Sequence, residues 1–350
     1  MEKAMESDSL CKGAARSFFN TFFKVFGFAA ALVVIIIGIG ILLSGTPQRT
    51  TTTVMKPDHN WKVKIFSSST PTILEIPITG VIGLELGMRK ERIAAILQDI
   101  QELDLKPGMF KAIILTINTP GGSADDSEAI LRMLTEFKKM YRIPVYAYID
   151  GMSASGGTMI SLAADKIISS PSSLIGHVGS IFGSHFFNFS KTLAQYGVEA
   201  KTIYAGKHKD ELDPFRPWKE GEGNEFQNLA DISYEQFIKL VVAHRPRITE
   251  DQLRDEGAQL YFPQQALEQG YIDQISDTFT QALGEIATTL EISNNYQVIE
   301  LRPQIMLSEL FGNESSFLAP RVITHTFRLP GDIDPELVGK PLYLYVPKEK

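Results

Sequence analysis

Cysteine is almost absent from the sequence: the 350 residues contain a single one, Cys11. One cysteine cannot form a disulfide within the chain, and a cysteine-based metal site needs several thiolate ligands. The 6 histidines are scattered and no HExxH pattern occurs, so we expect neither a metal centre nor a cofactor. The fold must therefore be stabilised by its hydrophobic core.

Clusters of basic residues are also missing. The chain has 34 Lys and Arg against 41 Asp and Glu, which gives a formal net charge of -7. A nucleic-acid-binding surface needs grouped Lys and Arg to neutralise phosphates, so we expect no nucleic-acid partner. With 44% hydrophobic residues, the chain has enough apolar content for one large domain or two ordinary ones.

Charge is absent from residues 25–43, which read VFGFAAALVVIIIGIGILL. As a helix this stretch is about 28 Å long, close to the roughly 30 Å thickness of a bilayer's hydrocarbon core. It exceeds the apolar part of a secretory signal, about 7–15 residues. We interpret it as an uncleaved transmembrane signal anchor; the alternatives are a long cleaved signal peptide and a buried core helix.

Basic residues before this span favour a cytoplasmic tail at residues 1–24, although Lys and Arg also follow the span. We therefore expect a single-pass protein of the inner (plasma) membrane, with most of the chain on the extracytoplasmic side. Residues 44–70 are rich in Thr, Ser, Pro and Lys and are predicted as a tether. A globular domain at 71–290 and a C-terminal extension of unknown role at 291–350 would complete the chain.

The globular domain alternates between strand and helix patterns. Apolar strand patterns occur at residues 72–82, 112–118 and 145–149, and helical patterns at 89–103, 123–140 and 159–164. This alternation predicts an α/β architecture with right-handed crossovers between parallel strands. Further helices are predicted at 225–242, 252–256, 263–268 and 277–290, and the β-leaning stretch 341–347 is a candidate edge strand, oligomer contact or ordered tail.

Small residues follow the third predicted strand as Ser153-Ala-Ser-Gly-Gly157. A serine on a sharp strand-to-helix turn lies beside the free N–H groups of the helix start, which suits a nucleophile, although such clusters are also common in plain loops. The turn Pro120-Gly-Gly122 follows the neighbouring strand, and the carboxyl ends of parallel strands meet at one edge. We predict Ser155 as the nucleophile, with an oxyanion hole from Gly156 and either Gly121 or Gly122.

Four stretches together resemble the signal peptide peptidase A family of membrane-anchored serine peptidases. They are Asn118-Thr-Pro-Gly-Gly122, Ser153-Ala-Ser-Gly-Gly157 continuing to Ala163-Ala-Asp-Lys166, Ile175-Gly-His-Val-Gly179, and Ala205-Gly-Lys-His-Lys-Asp210. The resemblance spans residues 72–285 and implies a Clp/crotonase-like spiral of ββα units. It also implies peptide hydrolysis by a Ser-Lys dyad, with Ser155 as nucleophile and Lys209 as general base. Such a lysine must be deprotonated, so its pKa must fall from about 10.4 through burial.

Two positions depart from the family pattern. His177 occupies the place where these peptidases usually carry a serine, between Gly176 and Val178. It follows Ser155 by 22 residues, close to where Clp-type peptidases place a triad histidine. A Ser-His base is therefore an open alternative to Lys209. Its acidic partner is not defined by the sequence; the candidates are Asp210, Asp213 and Asp231. Thr158 replaces the usual aromatic residue after the glycine pair, which predicts a changed pocket shape.

The resemblance implies a membrane-anchored serine endopeptidase that degrades cleaved signal peptides or other apolar membrane peptides. The expected partners are peptide substrates, the lipid bilayer and further copies of the chain, because single-domain family members form rings in which Lys209 would serve Ser155 of a neighbour. Two alternatives are an acyl-CoA enzyme of the same fold and a non-catalytic membrane scaffold.

Overall fold

The computed structural model describes residues 22, 24–28, 30–33, 35, 51–84, 87–183, 185–303 and 341–344. The chain divides into two units, residues 1–50 and 51–350. In the first unit the described residues between 22 and 35 are helical. No helix within the described residues is long and apolar enough to cross a membrane. Residues 36–43 of the predicted anchor and most of the predicted tail lie outside the described residues.

The described part of the second unit contains twelve strands and eight helices. The strands are β1 (Thr51–Lys56), β2 (Thr72–Thr79), β3 (Phe110–Thr119), β4 (Gly121–Ser123), β5 (Val145–Ala154), β6 (Lys166–Ser169), β7 (Leu174–Gly176), β8 (Ile181–Phe182), β9 (Leu260–Tyr261), β10 (Gln274–Ile275), β11 (Gln297–Pro303) and β12 (Pro341–Leu344). The helices are α1 (Lys90–Glu102), α2 (Ala124–Tyr141), α3 (Gly156–Ser161), α4 (Ser190–Gln195), α5 (Asn224–His244), α6 (Glu250–Glu256), α7 (Pro263–Gln269) and α8 (Phe279–Thr289).

A nine-stranded sheet has the order β1-β11-β2-β3-β5-β6-β10, with β7 paired to the end of β5 and β9 paired to β7. The strands from β11 to β10 are parallel to their neighbours. Parallel strands need crossover connections, and helices α1 and α2 connect β2, β3 and β5. The predicted α/β alternation is therefore confirmed.

The sheet is buried on both faces, which is why its central strands have nearly continuous apolar sequences. Leu74, Ile113 and Leu115 pack in one hydrophobic cluster with the helices on their side. Ile73 and Ile114, which are the immediate chain neighbours of these residues, pack in a second cluster with α8. Because successive side chains of a strand point to opposite faces, each central strand contributes to both clusters.

Although proline is disfavoured inside a central strand, β2 runs from Thr72 to Thr79 through Pro77 without interruption. Its partner β11 pairs with β2 only as far as Glu75, whereas β3 pairs along the whole strand. Pro77 therefore lies where β2 has no neighbour on one side, so its missing N–H removes no ladder hydrogen bond there.

The folded domain also takes in residues from the predicted tether and the predicted C-terminal extension. β1 lies within 44–70, β11 lies within 291–350, and the two pair antiparallel from Thr51↔Pro303 to Lys56↔Val298. The Lys56 ammonium lies 3.1 Å from Oε2 of the nearly buried Glu300. These segments are distant in sequence, so their pairing depends on a long-range contact that local patterns do not encode.

A second, small sheet has the order β4-β12-β8. β12 lies between the other two strands and is antiparallel to both. The candidate edge strand at 341–347 thus contains a strand with partners on both sides, next to the turn that carries Gly121 and Gly122.

Candidate active site

Ser155 occupies the junction between β5 and α3. It is the N-cap residue of α3 and has φ 55° and ψ -116°, an unusual conformation for a residue with a side chain. Its backbone N–H donates to the carbonyl oxygen of Gly176 at 2.9 Å. The sharp strand-to-helix turn predicted for this serine is therefore present, and β7 supports it.

The Ser155 side chain is buried without being bonded. The residue has 0% exposure, and its Oγ has no hydrogen-bond partner among the described residues. A buried hydroxyl ordinarily finds a partner because leaving one unpaired costs about 1–3 kcal/mol. An orphaned, buried hydroxyl is the expected state of a nucleophile that waits for a base and a substrate.

The two glycines after Ser155 are required by close packing. A Cβ on Gly156 would lie 2.4 Å from Ser127 Oγ, and one on Gly157 would lie 2.6 Å from Thr119 Cγ2. The Gly156 N–H belongs to the first turn of α3, where N–H groups have no partner within the helix. Gly156 therefore presents a donor directly beside the Ser155 hydroxyl, as predicted for an oxyanion hole.

Gly121 and Gly122 differ in what their N–H groups can do. The Gly121 N–H donates to Thr119 Oγ1 at 3.1 Å, and Thr119 Oγ1 in turn donates to the Gly80 carbonyl at 2.5 Å. The Gly122 nitrogen lies 3.4 Å from the position of a Cβ on Gly156. The structure therefore favours Gly122 over Gly121 as the second donor, and Thr119 is a positioning residue that the sequence pattern did not reveal.

Lys209 lies on the segment between α4 and α5, and its side chain is exposed. Its N–H donates to the Gly206 carbonyl at 3.2 Å. Because Ser155 Oγ has no hydrogen-bond partner among the described residues, Lys209 and Ser155 of the same chain are not bonded to each other. The structure does not bring the predicted dyad together within one subunit.

The segment that carries Lys209 is held by a clamp of three charged residues. Arg216 Nε donates to Asp210 Oδ2 at 2.9 Å, and Arg216 Nη1 donates to Glu222 Oε2 at 2.9 Å. The Asp210 and Glu222 side chains are both only 4% exposed. The hydrogen bond from Arg216 holds the pKa of Glu222 at about 2.

His177 is half-buried at the end of β7, with φ 56° and its N–H bonded to the Gln259 carbonyl at 2.8 Å. Burial lowers the pKa of His177, which favours the neutral ring. Ser155 Oγ and His177 share no hydrogen bond. The side chain lines a cavity of about 290 Å³ together with Ser180, Tyr234 and Asp231.

The three acidic candidates for a His177 partner have different surroundings. Asp210 is bound by Arg216, and Asp213 accepts hydrogen bonds from Thr202 Oγ1 and the Phe215 N–H. Asp231 is the candidate that lines the same cavity as His177, although Gln227 Nε2 already donates to it at 2.7 Å.

Three side chains beside Lys209 are close enough to share a cation. His208, Glu211 and Glu225 offer ligand atoms that all lie within 4.8 Å of one another. The side chains of His208 and Glu225 are 50% and 57% exposed, and exposed acidic groups often lie together without an ion. The cluster alone therefore does not indicate a metal site.

Two family profiles match the part of the chain that contains these residues. The profile of Peptidase family S49 matches residues 137–293, which include Ser155, His177 and Lys209. The profile of the Clp protease family matches residues 81–175, which include Gly121 and Gly122. The parallel sheet and the glycine turns are thus those of a Clp-like α/β fold.

Individual relatives carry protease names. The protein named "Putative protease MJ0651" from Methanocaldococcus jannaschii is 32% identical over 190 residues, 54% of this chain and 59% of that protein. "Putative protease slr0021" from Synechocystis sp. is 31% identical over 215 residues, 61% of this chain and 73% of that protein. "Putative signal peptide peptidase SppA" from Enterococcus faecium is 31% identical over 165 residues, 47% of each chain.

The chain thus spans less than two thirds of the length of the first and third of these relatives, and more than two thirds of the second. The resemblance carried by the four sequence stretches is confirmed by these matches. With its serine turn, its glycine donors and its Lys209 segment all inside the matched residues, the chain belongs to peptidase family S49.

Proposed function

We propose that the protein is a membrane-anchored serine endopeptidase that uses Ser155 as nucleophile and Lys209 of a neighbouring subunit as general base. The observation that carries this proposal is the Ser155 hydroxyl, which is buried and unpartnered among the described residues beside the donors of Gly156 and Gly122. Its substrates are cleaved signal peptides or other apolar membrane peptides, and its catalytic unit faces the extracytoplasmic side of the plasma membrane.

In this mechanism, Ser155 Oγ attacks the carbonyl carbon of the scissile bond while its proton moves to the neutral Lys209 amine. The carbonyl oxygen becomes an oxyanion that the Gly156 and Gly122 N–H groups stabilise. Collapse of the tetrahedral intermediate breaks the C–N bond, and the leaving amine takes the proton from Lys209. Water, deprotonated by the same lysine, then hydrolyses the acyl-enzyme and frees Ser155.

A base from a neighbouring subunit is supported by the exposure of Lys209. A lysine in water keeps a pKa of about 10.4 and is protonated at neutral pH, so it cannot accept the serine proton. Large apolar side chains surround the Lys209 segment and are exposed in the single chain: Phe186, Phe187, Phe189, Phe215 and Trp218. Packing of this surface against another copy would bury Lys209 among apolar side chains and bring it to a second Ser155.

A second candidate is a Ser-His peptidase with His177 as base. Burial lowers the pKa of His177, so the ring is neutral at physiological pH and able to accept a proton. This alternative needs His177 to approach Ser155, with which it shares no hydrogen bond in the structure.

Peptide hydrolysis by the full chain in mild detergent distinguishes these possibilities. We expect Ser155→Ala and Lys209→Ala to abolish turnover, while His177→Ala keeps a substantial fraction. Lys207→Ala is the matched control, because Lys207 is an exposed lysine on the same segment and should not be needed. Turnover by Lys209→Ala together with a dead His177→Ala would instead assign the base to histidine.

Mixing inactive variants tests whether the dyad forms between subunits. Oligomers reassembled from Ser155→Ala and Lys209→Ala chains should regain part of the activity, because the first supplies an intact lysine to the intact serine of the second. Oligomers that contain only Ser155→Ala chains, or only Lys209→Ala chains, should stay inactive. Full activity of monomers, or no recovery on mixing, would contradict a shared site.

Deletion of residues 25–43 tests the anchor and should release the protein from the membrane fraction. Protease added outside the cell membrane should digest the wild-type catalytic unit.

A serine-reactive probe that fails to label Ser155 in assembled protein would favour a non-catalytic scaffold.

A further inference from the structure

The C-terminal strand β12 lies at the candidate active site. Leu342, Tyr343 and Leu344 pair with Ser123, Gly122 and Gly121, in that order. On the other side of β12, Pro341 and Leu342 pair with Phe182 and Ile181 of β8. β12 also lies against α3, the helix that begins directly after Ser155. The strand therefore lies between β8 and β4, the strand that carries the proposed oxyanion donor.

The direction of the hydrogen bonds in β4 shows which groups face β12. Gly121 O accepts from the Ile82 N–H, and the Ser123 N–H donates to Ile82 O, both at 2.9 Å. Successive residues of a strand direct their backbone groups to opposite sides. The N–H and C=O of Gly122 therefore face away from Ile82 and toward Tyr343, its partner in register.

We propose that the chain's own C-terminal strand, Pro341–Leu344, occupies the peptide-binding cleft between β4 and β8 and competes there with substrate. In this arrangement the Tyr343 carbonyl takes the position opposite the Gly122 N–H that a substrate carbonyl takes during hydrolysis. The inference rests on the proposed function, because that function is what identifies this cleft as the place where substrate binds.

The cleft recognises an extended peptide by backbone pairing on both edges. Strand addition of this kind derives its affinity from main-chain hydrogen bonds and its specificity from alternate side chains. Residues 341–347 read PLYLYVP and carry no charge. The occupant is thus an extended, uncharged, apolar segment, which is the same chemical class as the proposed substrates.

Tethering makes even a weak strand effective as a competitor. A strand that belongs to the same chain competes at an effective concentration on the order of 1 mM. For a free segment that binds with a Kd of about 0.1 mM, the ratio of occupied to unoccupied cleft in the intact chain is about ten. The apparent Kd of an added peptide then rises by about the same factor. This is the effect the experiment should detect.

Peptide binding to the full chain with Ser155→Ala measures the competition without hydrolysis. The probe is a fluorescent synthetic peptide of residues 340–347. Leu342→Pro removes an N–H from the strand, whereas the matched Leu342→Ala keeps it. We expect the chain with Leu342→Pro to bind the probe about tenfold more tightly than the chain with Leu342→Ala. Equal affinities, or no binding to either chain, would overturn the inference.

A cysteine pair tests the register without relying on a disruptive proline. In a Cys11→Ser chain, Ile181→Cys and Leu342→Cys lie directly opposite each other, where Cβ atoms in antiparallel strands are about 4.5–5.5 Å apart. Oxidation should join this pair and abolish probe binding, and reduction should restore it. The control pair Ile181→Cys and Leu344→Cys is two residues out of register; equal crosslinking of both pairs would contradict the proposed placement.

The inference and the proposed function fail in different ways. If the wild-type chain does not hydrolyse peptides but Leu342→Pro still tightens probe binding, the proposed function is wrong and the inference about the occupied cleft stands. Equal hydrolysis rates for Leu342→Pro and Leu342→Ala would keep the peptidase and remove the competitor.

Discussion

The backbone N–H of Ser155 and the side-chain hydroxyl of Thr158 converge on one acceptor, the carbonyl oxygen of Gly176, at 2.9 and 2.8 Å. Thr158 Oγ1 also lies 2.7 Å from the Ser153 carbonyl. A single buried threonine thus connects the end of β5, the start of α3 and the end of β7. This connection holds Ser155 at a positive φ that it would otherwise leave.

Replacing Thr158 by valine removes this connection while keeping the side chain's shape. The single hydroxyl proton that the Ser153 and Gly176 carbonyls share is lost, so we expect a loss of about 1–3 kcal/mol in the free energy of unfolding. We also expect a lower kcat, because the Ser155 turn is less well held, with a smaller change in KM. Thr158→Ser keeps the hydroxyl and should recover most of both. A kcat for Thr158→Val equal to the wild-type value would show that the turn is rigid without this bond.

Gly156→Ala tests whether the oxyanion donor requires a glycine. The added methyl would meet Ser127 Oγ at 2.4 Å and Ile82 Cδ1 at 3.2 Å, so either the Ser127 hydroxyl gives up its 2.7 Å bond to the Ser123 carbonyl or the start of α3 shifts with the Gly156 N–H. Loss of one oxyanion donor costs roughly 100- to 1,000-fold in kcat, and we expect a loss of that order.

The matched control for this substitution is Gly284→Ala on α8. Its added methyl would lie 3.4 Å from His59, which is ordinary contact, and alanine favours a helix over glycine by up to about 1 kcal/mol. Activity should therefore be unchanged. Wild-type turnover by Gly156→Ala would exclude its N–H from catalysis.

Local sequence patterns predicted the elements that bury a periodic apolar face. The helix expected at 225–242 is α5, Asn224–His244, and the one expected at 263–268 is α7, Pro263–Gln269. The serine turn and its glycines were also predictable, because a strand, a small-residue cluster and a helix follow one another directly. The family match confirms the resemblance on which the functional hypothesis depends.

The remaining features depend on contacts between residues far apart in the chain. Nothing in the sequence indicates that the Gly121 N–H donates to Thr119 Oγ1. The pairing of β1 with β11 joins the two ends of the domain, and the place of β12 beside β4 is likewise a long-range contact. The separation of Lys209 from Ser155 in one chain depends on packing that no local motif determines.

The stability of the domain should depend on the protonation of His177. Burial lowers the pKa of His177 in the folded protein below its unfolded value of about 6.5, so the unfolded chain binds more protons between these two values. The free energy of unfolding therefore decreases as pH falls below about 6.5. Asp231 and Arg254 line the same cavity, but burial is the cause of the shift.

His177→Asn should flatten this dependence. Asparagine tolerates the φ of 56° at this position and does not titrate. Denaturant unfolding at several pH values between 5 and 7 measures the free energy of unfolding of wild type and variant. The difference between these two free energies should narrow as pH falls. Parallel curves for wild type and variant would show that His177 titrates equally in both states.

Arg216 should control how well the Lys209 segment is positioned. Arg216→Gln leaves the enclosed carboxylates of Asp210 and Glu222 without their shared guanidinium. We expect faster hydrogen exchange across residues 206–222 and a lower kcat with little change in KM. Arg216→Lys should rescue this only in part, because an ammonium cannot reproduce the two-sided guanidinium contact. Arg132→Gln, which removes an exposed arginine paired with Glu128 at 3.7 Å, is the control and should leave both readouts unchanged.

The pH dependence of that exchange separates positioning from a general loss of structure. The hydrogen bond from Arg216 lowers the pKa of Glu222 to about 2, from about 4.3 in unfolded chains. The clamp's contribution is therefore fully present above about 4.3 and is lost as pH falls toward 2. Protection of the segment in wild type should fall over this window, while Arg216→Gln should already be unprotected at neutral pH. The two proteins should converge near pH 2; a constant difference down to that pH would mean that Arg216 acts through a contact other than Glu222.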